Sequence, residues 1–190
     1  MTTIAKRAFP HECCGVMIGR MVLPVEPVLS VEPVKEVVEI LEIENLNKER
    51  AHDRYDLDPK GFMRAEKAAG QKGLSIVGIF HSHPDHPSKA SETDRLHAWP
   101  VYSYLIIAIH KGEYHDHHNW ILTEDGSAMV EENCILLKIH EKKLKEFLVS
   151  TRRSNGHVVL PNLSSQFMGR GPRLQRILLV DASLDTLQRH

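Results

Sequence analysis

A short apolar run that ends in two histidines constrains this chain more than any other feature. The run covers residues 76–80, and His81 follows directly, with one residue between it and His83. Because side chains alternate between the two faces of a strand, both histidines should point the same way from the end of a buried strand. Asp94 comes eleven residues after His83, with Ser91 three positions before it. Two imidazoles and one carboxylate are a ligand set of a catalytic zinc that keeps one position open.

Plainer roles are available for each of these side chains. Two histidines can be polar residues in a turn after a strand, although a pair on one strand face is less typical of that. Ser91 and Asp94 match a capping box, in which the serine caps a helix start and the acid reaches back to it. The two roles are compatible, since a capped helix start would hold Asp94 rigidly enough to bind a metal.

Length and charge argue against several classes of function. The chain has 190 residues, enough for one sizeable core, and a formal net charge of −1. That charge predicts no bulk attraction to nucleic acid or to an anionic membrane. No apolar run is long enough to span a bilayer, and the first residues lack a signal-like apolar segment. We expect residues 1–150 to form the main domain and residues 151–190 to form a C-terminal extension of unknown role.

The cysteines argue against a disulfide framework. There are three of them, Cys13, Cys14 and Cys134, and adjacent cysteines do not ordinarily bridge each other. Unpaired cysteines are typical of a reducing compartment, so we predict a cytoplasmic protein. Cys13 and Cys14 should lie on opposite faces of a strand. A buried structural role is favoured for them over inhibition of the site or a response to oxidation.

Hydrophobic periodicity predicts an alternation of strands and helices. The expected strands cover residues 12–19, 36–46, 74–80, 102–110, 120–122, 128–130 and 177–180. The expected helices cover the first ten residues, a segment from 59 to about 70 with Asp58 as N-cap, a short segment after Ser91, and residues 135–148 and 182–188. The proline-rich residues 22–34 should be loop or edge strand. Residues 111–119 are rich in histidine, and a polar hairpin loop is favoured there over a second metal site.

The residues around the two histidines resemble a known enzyme motif. Glu12, the run His81-Ser82-His83-Pro84, Ser91 and Asp94 reproduce the motif of the JAMM (MPN+) metalloproteases at the family spacing. Flanking segments also match, among them Glu12-Cys13-Cys14-Gly15, Arg54-Tyr55, Asp58-Pro59 and Ala98-Trp99-Pro100. The resemblance extends from about Pro10 to Leu137 and is strongest to the compact bacterial branch of the family.

The resemblance implies a fold and a site. The fold would be α/β, a cytidine-deaminase-like sandwich with a curved mixed β-sheet flanked by helices. His81, His83 and Asp94 would bind Zn²⁺. Glu12 would be the general base and then the acid toward the leaving amine, and Ser91 would help to stabilise the developing oxyanion. Residues 1–150 would then be the metalloprotease domain.

The resemblance also implies a substrate, the C-terminal tail of a ubiquitin-like protein. In the compact bacterial branch that protein would be a sulfur carrier, cut after its terminal glycines. Two rival functions are a non-catalytic interaction scaffold of the same fold and a small-molecule zinc amidase. Scaffold relatives typically lack one or more ligands, and this chain lacks none, which favours the enzyme. The sequence leaves open whether the chain forms a homodimer.

Overall fold

A mixed β-sheet forms the centre of the structure, a computed structural model that describes residues 1–22, 34–138 and 176–181. In chain order its elements are α1 (Thr2–Ala8), β1 (Cys14–Val22), β2 (Val34–Ile43), α2 (Pro59–Gln71), β3 (Ser75–Pro84), α3 (Glu92–His97), β4 (Ser103–His110), β5 (Glu113–Leu122), β6 (Met129–Lys138) and β7 (Arg176–Asp181).

The strands follow the spatial order β2-β1-β3-β4-β5-β6, and β7 pairs with both outer strands of that series and so closes it. β1 is antiparallel to β2 and β3, whereas β3 and β4 are parallel. β4, β5 and β6 form an antiparallel meander, and β7 is parallel to β2 and β6. β3 therefore has a neighbour on each side and is buried from Ile76 to Pro84. This position explains why its apolar residues are continuous and do not alternate with polar ones.

Helices cover both faces of the sheet, as expected for an α/β fold. α1 packs Ala5 against a cluster that contains Met17. α2 packs Ala65 and Ala69 against a second cluster that contains Val16 and Ile18. Met17 and its two chain neighbours thus contribute to different clusters, because successive strand residues face opposite sides. The expectation of a curved mixed sheet flanked by helices is confirmed.

Two local features fit the sequence to this fold, a helix cap at Asp58 and a close packing of strands at Gly15. The Asp58 side chain accepts hydrogen bonds from Lys60 N (3.0 Å) and Gly61 N (2.8 Å), so it caps α2 as predicted. A Cβ at Gly15 would collide with the carbonyl of Leu41 and the ring of Phe80. Glycine at this position lets β1 pack closely against β2 and β3.

Two of the expected elements are wrong. Residues 113–119 are not a loop, because they form most of β5 and pair with β4. Main-chain pairing to a buried strand outweighs the polar character of this histidine-rich sequence. The helix expected at 135–148 is wrong at its start, since residues 135–138 belong to β6 and pair with β7. The rest of that segment lies outside the described residues, as do residues 23–33 and 182–188.

The strand expected at residues 177–180 is confirmed as β7. It falls within the expected C-terminal extension and pairs with β2 and β6. The expected boundary near residue 150 lies outside the described residues, so the division into 1–150 and 151–190 stays a prediction. In the part of the chain that the structure describes, no helix is long and apolar enough to cross a membrane.

Candidate metal centre

The end of β3 and the start of α3 bring two imidazoles and one carboxylate together. His81 and His83 lie on the same side of β3, with their Nε2 atoms 3.1 Å apart. His81 Nε2 lies 3.2 Å from Asp94 Oδ1, and His83 Nε2 lies 3.8 Å from Asp94 Oδ2. All three residues are buried. Within the described residues they are the group of histidine, cysteine and acidic side chains that converges closely enough to hold a metal ion.

Ser91 fixes the carboxylate of this triad. Its backbone N–H and its hydroxyl both donate to Asp94 Oδ2, at 2.7 and 2.6 Å, while Asp94 N donates to Ser91 Oγ at 3.1 Å. This is the capping box that the sequence predicted, and it coexists with the placement of Asp94 in the triad. Because Asp94 Oδ2 already accepts two bonds, Oδ1 is the oxygen that is turned toward His81.

The spacing of the triad fits a tetrahedral metal. Ligand atoms about 2.0–2.1 Å from a tetrahedral zinc lie about 3.3 Å from one another. His81 Nε2 lies 3.1 Å from His83 Nε2 and 3.2 Å from Asp94 Oδ1, both close to that value. One ligand atom from each of the three residues lies within 4.8 Å of the other two. His83 Nδ1 lies 2.7 Å from the carbonyl oxygen of Pro87, which can only accept, so Nδ1 carries the hydrogen and Nε2 presents its lone pair to the triad. The donor set and its orientation therefore fit a divalent cation.

The charges in the triad support the same conclusion. Burial, helped by the nearby His81, lowers the pKa of His83 to about 4, so this imidazole is neutral at pH 7. Burial alone would also lower the pKa of His81, but the charge and hydrogen bond of Asp94 outweigh it and raise that pKa. The pKa of Asp94 is held below its usual value by His81 and Ser91 despite burial. Asp94 therefore favours positive charge at the ligand atoms, and a bound cation would supply it.

Glu12 lies beside the triad although it is far away in sequence. It lies two residues before β1, in which Cys14 pairs with His81 on β3. Two hydrogen bonds lock the strands there, from Cys13 N to Ser82 Oγ (2.9 Å) and from Ser82 N to Cys13 O (3.1 Å). Burial raises the pKa of Glu12 to about 7, with His81 opposing the shift and Asp94 adding to it. A carboxyl group with this pKa can both accept and donate a proton near neutral pH.

Sequence reasoning did not assign roles to two residues that support the site. The Tyr55 ring stacks on the His81 ring, with centroids 4.6 Å apart. Tyr55 was noted only as part of the matching flank. Asn45 carried no signal in the sequence, because its partners are distant along the chain or in a loop without a local pattern.

Asn45 joins Glu12 to the loop that carries Tyr55. Its Nδ2 donates to Glu12 O (3.2 Å) and Arg54 O (3.1 Å). Its Oδ1 accepts from Asn47 N (2.9 Å) and Asp56 N (3.0 Å). All four hydrogen-bonding positions of the amide are used. Asn45 therefore couples the position of Glu12 to that of the ring packed on His81.

A cavity of about 650 Å³ opens onto this site and is lined by two of the triad residues, His83 and Asp94. Its buried part includes Glu12, His83 and Asp94. Its exposed lining residues are both charged or polar and apolar: Arg50, Asp56, Pro59, Met63, His97 and Trp99. This volume is within the range of about 300–1,000 Å³ that is usual for ligand pockets.

The cysteines and the histidines of β5, which the sequence made candidates for a role, are not part of the triad. Burial raises the pKa of Cys13 to about 11 and that of Cys14 to about 12, so both remain protonated thiols, in keeping with a structural role. His115, His117 and His118 lie on β5. Among the described residues they do not join a group close enough to hold a metal.

Comparison with known proteins decides the family. The profile of the family described as prokaryotic homologs of the JAB domain matches residues 1–122, more than half of the chain. The chain belongs to the prokaryotic JAB-domain family. This confirms the resemblance to the JAMM (MPN+) group that the motif indicated. Within this JAB domain, the matched residues include all five positions of the motif.

Two curated relatives and one solved structure are similar to this JAB-domain protein. A desampylase of Pyrococcus furiosus is 38% identical over 73 residues, which are 37% of this chain and 48% of that protein. A desampylase of Haloferax volcanii is 34% identical over 102 residues, 51% of this chain and 62% of that protein. The chain thus spans about half to three-fifths of these relatives. The solution structure of a Desulfitobacterium hafniense protein is 26% identical, with a TM-score of 0.58, and covers 75% of this chain and 89% of that one.

Proposed function

We propose that this JAB-domain protein is a zinc-dependent peptidase or isopeptidase that hydrolyses the bond after the C-terminal glycines of a ubiquitin-like protein, in this case a sulfur carrier. The observation that carries the proposal is the convergence of His81, His83 and Asp94, of which His83 and Asp94 line the same cavity as a buried carboxyl group, Glu12. Membership in the family and the similarity to two desampylases support a hydrolase acting on ubiquitin-like proteins.

Three side chains would hold the metal. Glu12 would transfer the proton, and Ser91 would stabilise the developing negative charge. A zinc ion bound by His81, His83 and Asp94 supplies Lewis acidity toward the scissile carbonyl and toward water. Glu12 takes a proton from the attacking water and delivers it to the leaving nitrogen, for which its pKa of about 7 in the metal-free protein is suited. The attack forms the C–O bond, and the C–N bond breaks as that nitrogen is protonated.

Ser91 would act in two ways. Its hydroxyl donates to Asp94 Oδ2 in the structure, which orients the third ligand. By turning away from Asp94 the same hydroxyl can donate to the oxyanion that develops on the carbonyl, while the Ser91 backbone N–H continues to hold Oδ2. Orientation of Asp94 would therefore survive the change of hydroxyl partner.

Purified protein loaded with zinc is the direct test. The substrate is a ubiquitin-like protein from the same genome that ends in two glycines and carries a short C-terminal extension. We expect cleavage immediately after the second glycine by mass spectrometry, loss of cleavage with a chelator, and recovery on addition of zinc. Failure of the zinc-loaded protein to cut any such fusion, with an amine-linked conjugate also left intact, would contradict the proposal.

A further inference from the structure

α3 carries Asp94, the third residue of the triad, but packs few side chains of its own. Of its six residues, all of them described, Asp94 alone is buried. Its large apolar side chain, Leu96, is 65% exposed. The ends of the helix are fixed by the Ser91 cap and by Ala98, which packs in a buried cluster. Because a helix this short is marginal in water, a further contact is needed to hold the Asp94 carboxylate in one direction.

Arg95, the residue directly after Asp94, joins α3 to the turn between β5 and β6. Its Nη1 donates to the carbonyl oxygen of Gly126 at 2.6 Å. Its Nε and Nη2 donate to the two carboxylate oxygens of Glu92, at 2.9 and 2.6 Å. The planar guanidinium therefore has one edge bound to the helix and another nitrogen bound to the turn. A fork of this kind fixes geometry as well as adding energy.

The turn that receives this bond is held by hydrogen bonds of its own. Asp125 Oδ1 accepts from Thr123 Oγ1 (2.7 Å), from Ser127 N (3.0 Å) and from Ser127 Oγ (2.8 Å). Gly126 N donates to Thr123 O at 2.9 Å, and the φ of Gly126 is 69°, which glycine adopts without strain. The Gly126 carbonyl is thus a fixed acceptor. None of these turn residues lines the cavity.

We infer that Arg95 is a positioning residue for the metal site, which holds the Asp94 carboxylate in place by tying α3 to the β5–β6 turn. In the tied arrangement Asp94 Oδ1 lies 3.2 Å from His81 Nε2. Molecules in which α3 has shifted lack the third ligand, and the apparent metal affinity falls with the fraction of molecules that keep it. The inference rests on the metal binding in the proposed function and is independent of the substrate.

Zinc affinity of Arg95→Ala tests this role. We expect the dissociation constant to rise about tenfold, at the lower end of the loss that is typical of residues outside the ligand set. Competition with a chromophoric chelator measures it, and urea denaturation of the metal-free protein checks that the fold is intact. Arg95→Lys keeps the charge but loses the fork, so its affinity should be intermediate.

Glu92→Ala is the matched control for Arg95→Ala. The Glu92 side chain is 70% exposed, and its removal leaves the bond from Arg95 to Gly126 O in place. We therefore expect Glu92→Ala to bind zinc as the wild type does. An equal loss of zinc affinity in Glu92→Ala would show that the pair within the helix is what matters, and it would overturn the role of the turn.

A double-mutant cycle with Asp125→Ala tests whether Arg95 acts through the turn. Asp125→Ala removes the bonds that order the turn and leaves α3 unchanged. It should weaken zinc binding several-fold in the wild type and hardly at all in Arg95→Ala, because the link is already absent there. Additive losses would contradict the proposed link.

Hydrogen exchange separates positioning from a purely structural role. The Arg95 and Ala98 amides donate to Ser91 O and Arg95 O, and they should exchange faster in metal-free Arg95→Ala. Faster exchange with unchanged zinc affinity would overturn the positioning role. A wild type that binds zinc but cleaves nothing would contradict the proposed reaction and leave this role intact, whereas a wild type that binds no zinc would overturn both.

Discussion

Two strands of this protein are rich in histidine, and they use it differently. On β3, His81 and His83 are buried and face the same carboxylate. On β5, His115, His117 and His118 are exposed or half-buried and take separate partners. Those partners are Asp116 for His115 (3.0 Å), Tyr114 for His117 (2.7 Å) and Ser88 for His118 (2.6 Å).

The difference shows that histidine content is a poor guide to a metal site. The β3 imidazoles converge with Asp94 in a buried place, where an uncompensated carboxylate would be costly and a cation compensates it. The β5 imidazoles contact solvent or a hydrogen-bond partner of their own, so the polar atoms of each ring have partners without a metal ion. The predictions below test whether this contrast between β3 and β5 holds.

Removal of a triad residue, on β3 or on α3, should have the largest effect on metal binding. Loss of a residue that only hydrogen-bonds to a metal ligand typically weakens metal binding by about 10- to 100-fold. His81→Ala and Asp94→Ala each remove a ligand itself, so zinc affinity should fall by more than about 100-fold. His117→Ala, the matched change on β5, should leave affinity and stoichiometry unchanged. Competition with a chromophoric chelator measures both. An equal loss of zinc affinity in His117→Ala would contradict the proposed difference between the triad and the β5 histidines.

Neutralising the buried acid should stabilise the metal-free protein at high pH. The pKa of Glu12 is raised to about 7 by burial, so folding favours its protonated form. The contribution of Glu12 to the free energy of unfolding is fully present below pH 4.5, the pKa of this group in the unfolded chain. It is lost as the pH rises through 7, the pKa in the folded protein. Glu12→Gln avoids the loss and should raise the free energy of unfolding by about 3 kcal/mol at pH 8, and much less at pH 5. Urea denaturation at both pH values checks this. The same difference in the free energy of unfolding between Glu12→Gln and wild type at about pH 5 and pH 8 would refute it.

Cutting the link between Glu12 and the Tyr55 loop should have an intermediate effect. Asn45→Ala removes four hydrogen bonds, so we expect about 1–3 kcal/mol lower stability. Turnover should fall by about 10- to 100-fold through misplacement of the base, with zinc still bound. Asn45→Asp keeps the acceptor and loses the two donated bonds, and should lie between Asn45→Ala and wild type in stability. Unchanged turnover in Asn45→Ala would show that Glu12 is positioned by β1 alone.

The smallest effect is expected on β5. His118→Ala removes the bond to Ser88 Oγ, whose hydroxyl still donates to Asp116 at 2.6 Å. Because one partner remains for Ser88, the cost in stability should be below about 1 kcal/mol. Thermal denaturation and metal analysis check this. Loss of zinc in this variant would mean that β5 contributes to the site after all.

The parts of the site that were predictable from sequence are local. The two histidines share a strand face because of a two-residue period, and Ser91 and Asp94 form a capping box over three residues. The same holds for Asp58 at the start of α2. Each of these depends on neighbours within one element, so spacing alone predicts it. Glu12 was assigned only through the resemblance to a family, since nothing local distinguishes it from other acids.

The features that escaped prediction depend on pairing between distant segments. Residues 113–119 belong to β5 because β4 lies beside them, although most of them are polar. The apolar residues at 135, 136 and 139 suit a helical period, but residues 135–138 pair with β7 in the sheet. Asn45 becomes important only when β1, β2 and the loop that contains Tyr55 have come together.

The central claim is that Glu12 and the triad of His81, His83 and Asp94 form one hydrolytic centre, in which the triad binds the metal and Glu12 transfers the proton. The most direct measurement compares wild type with Glu12→Gln for bound zinc and for cleavage of an extended ubiquitin-like protein. We predict about one zinc per chain in both, with turnover in Glu12→Gln reduced by about 10²–10⁴-fold. Wild-type turnover in Glu12→Gln, with zinc bound, would contradict the account.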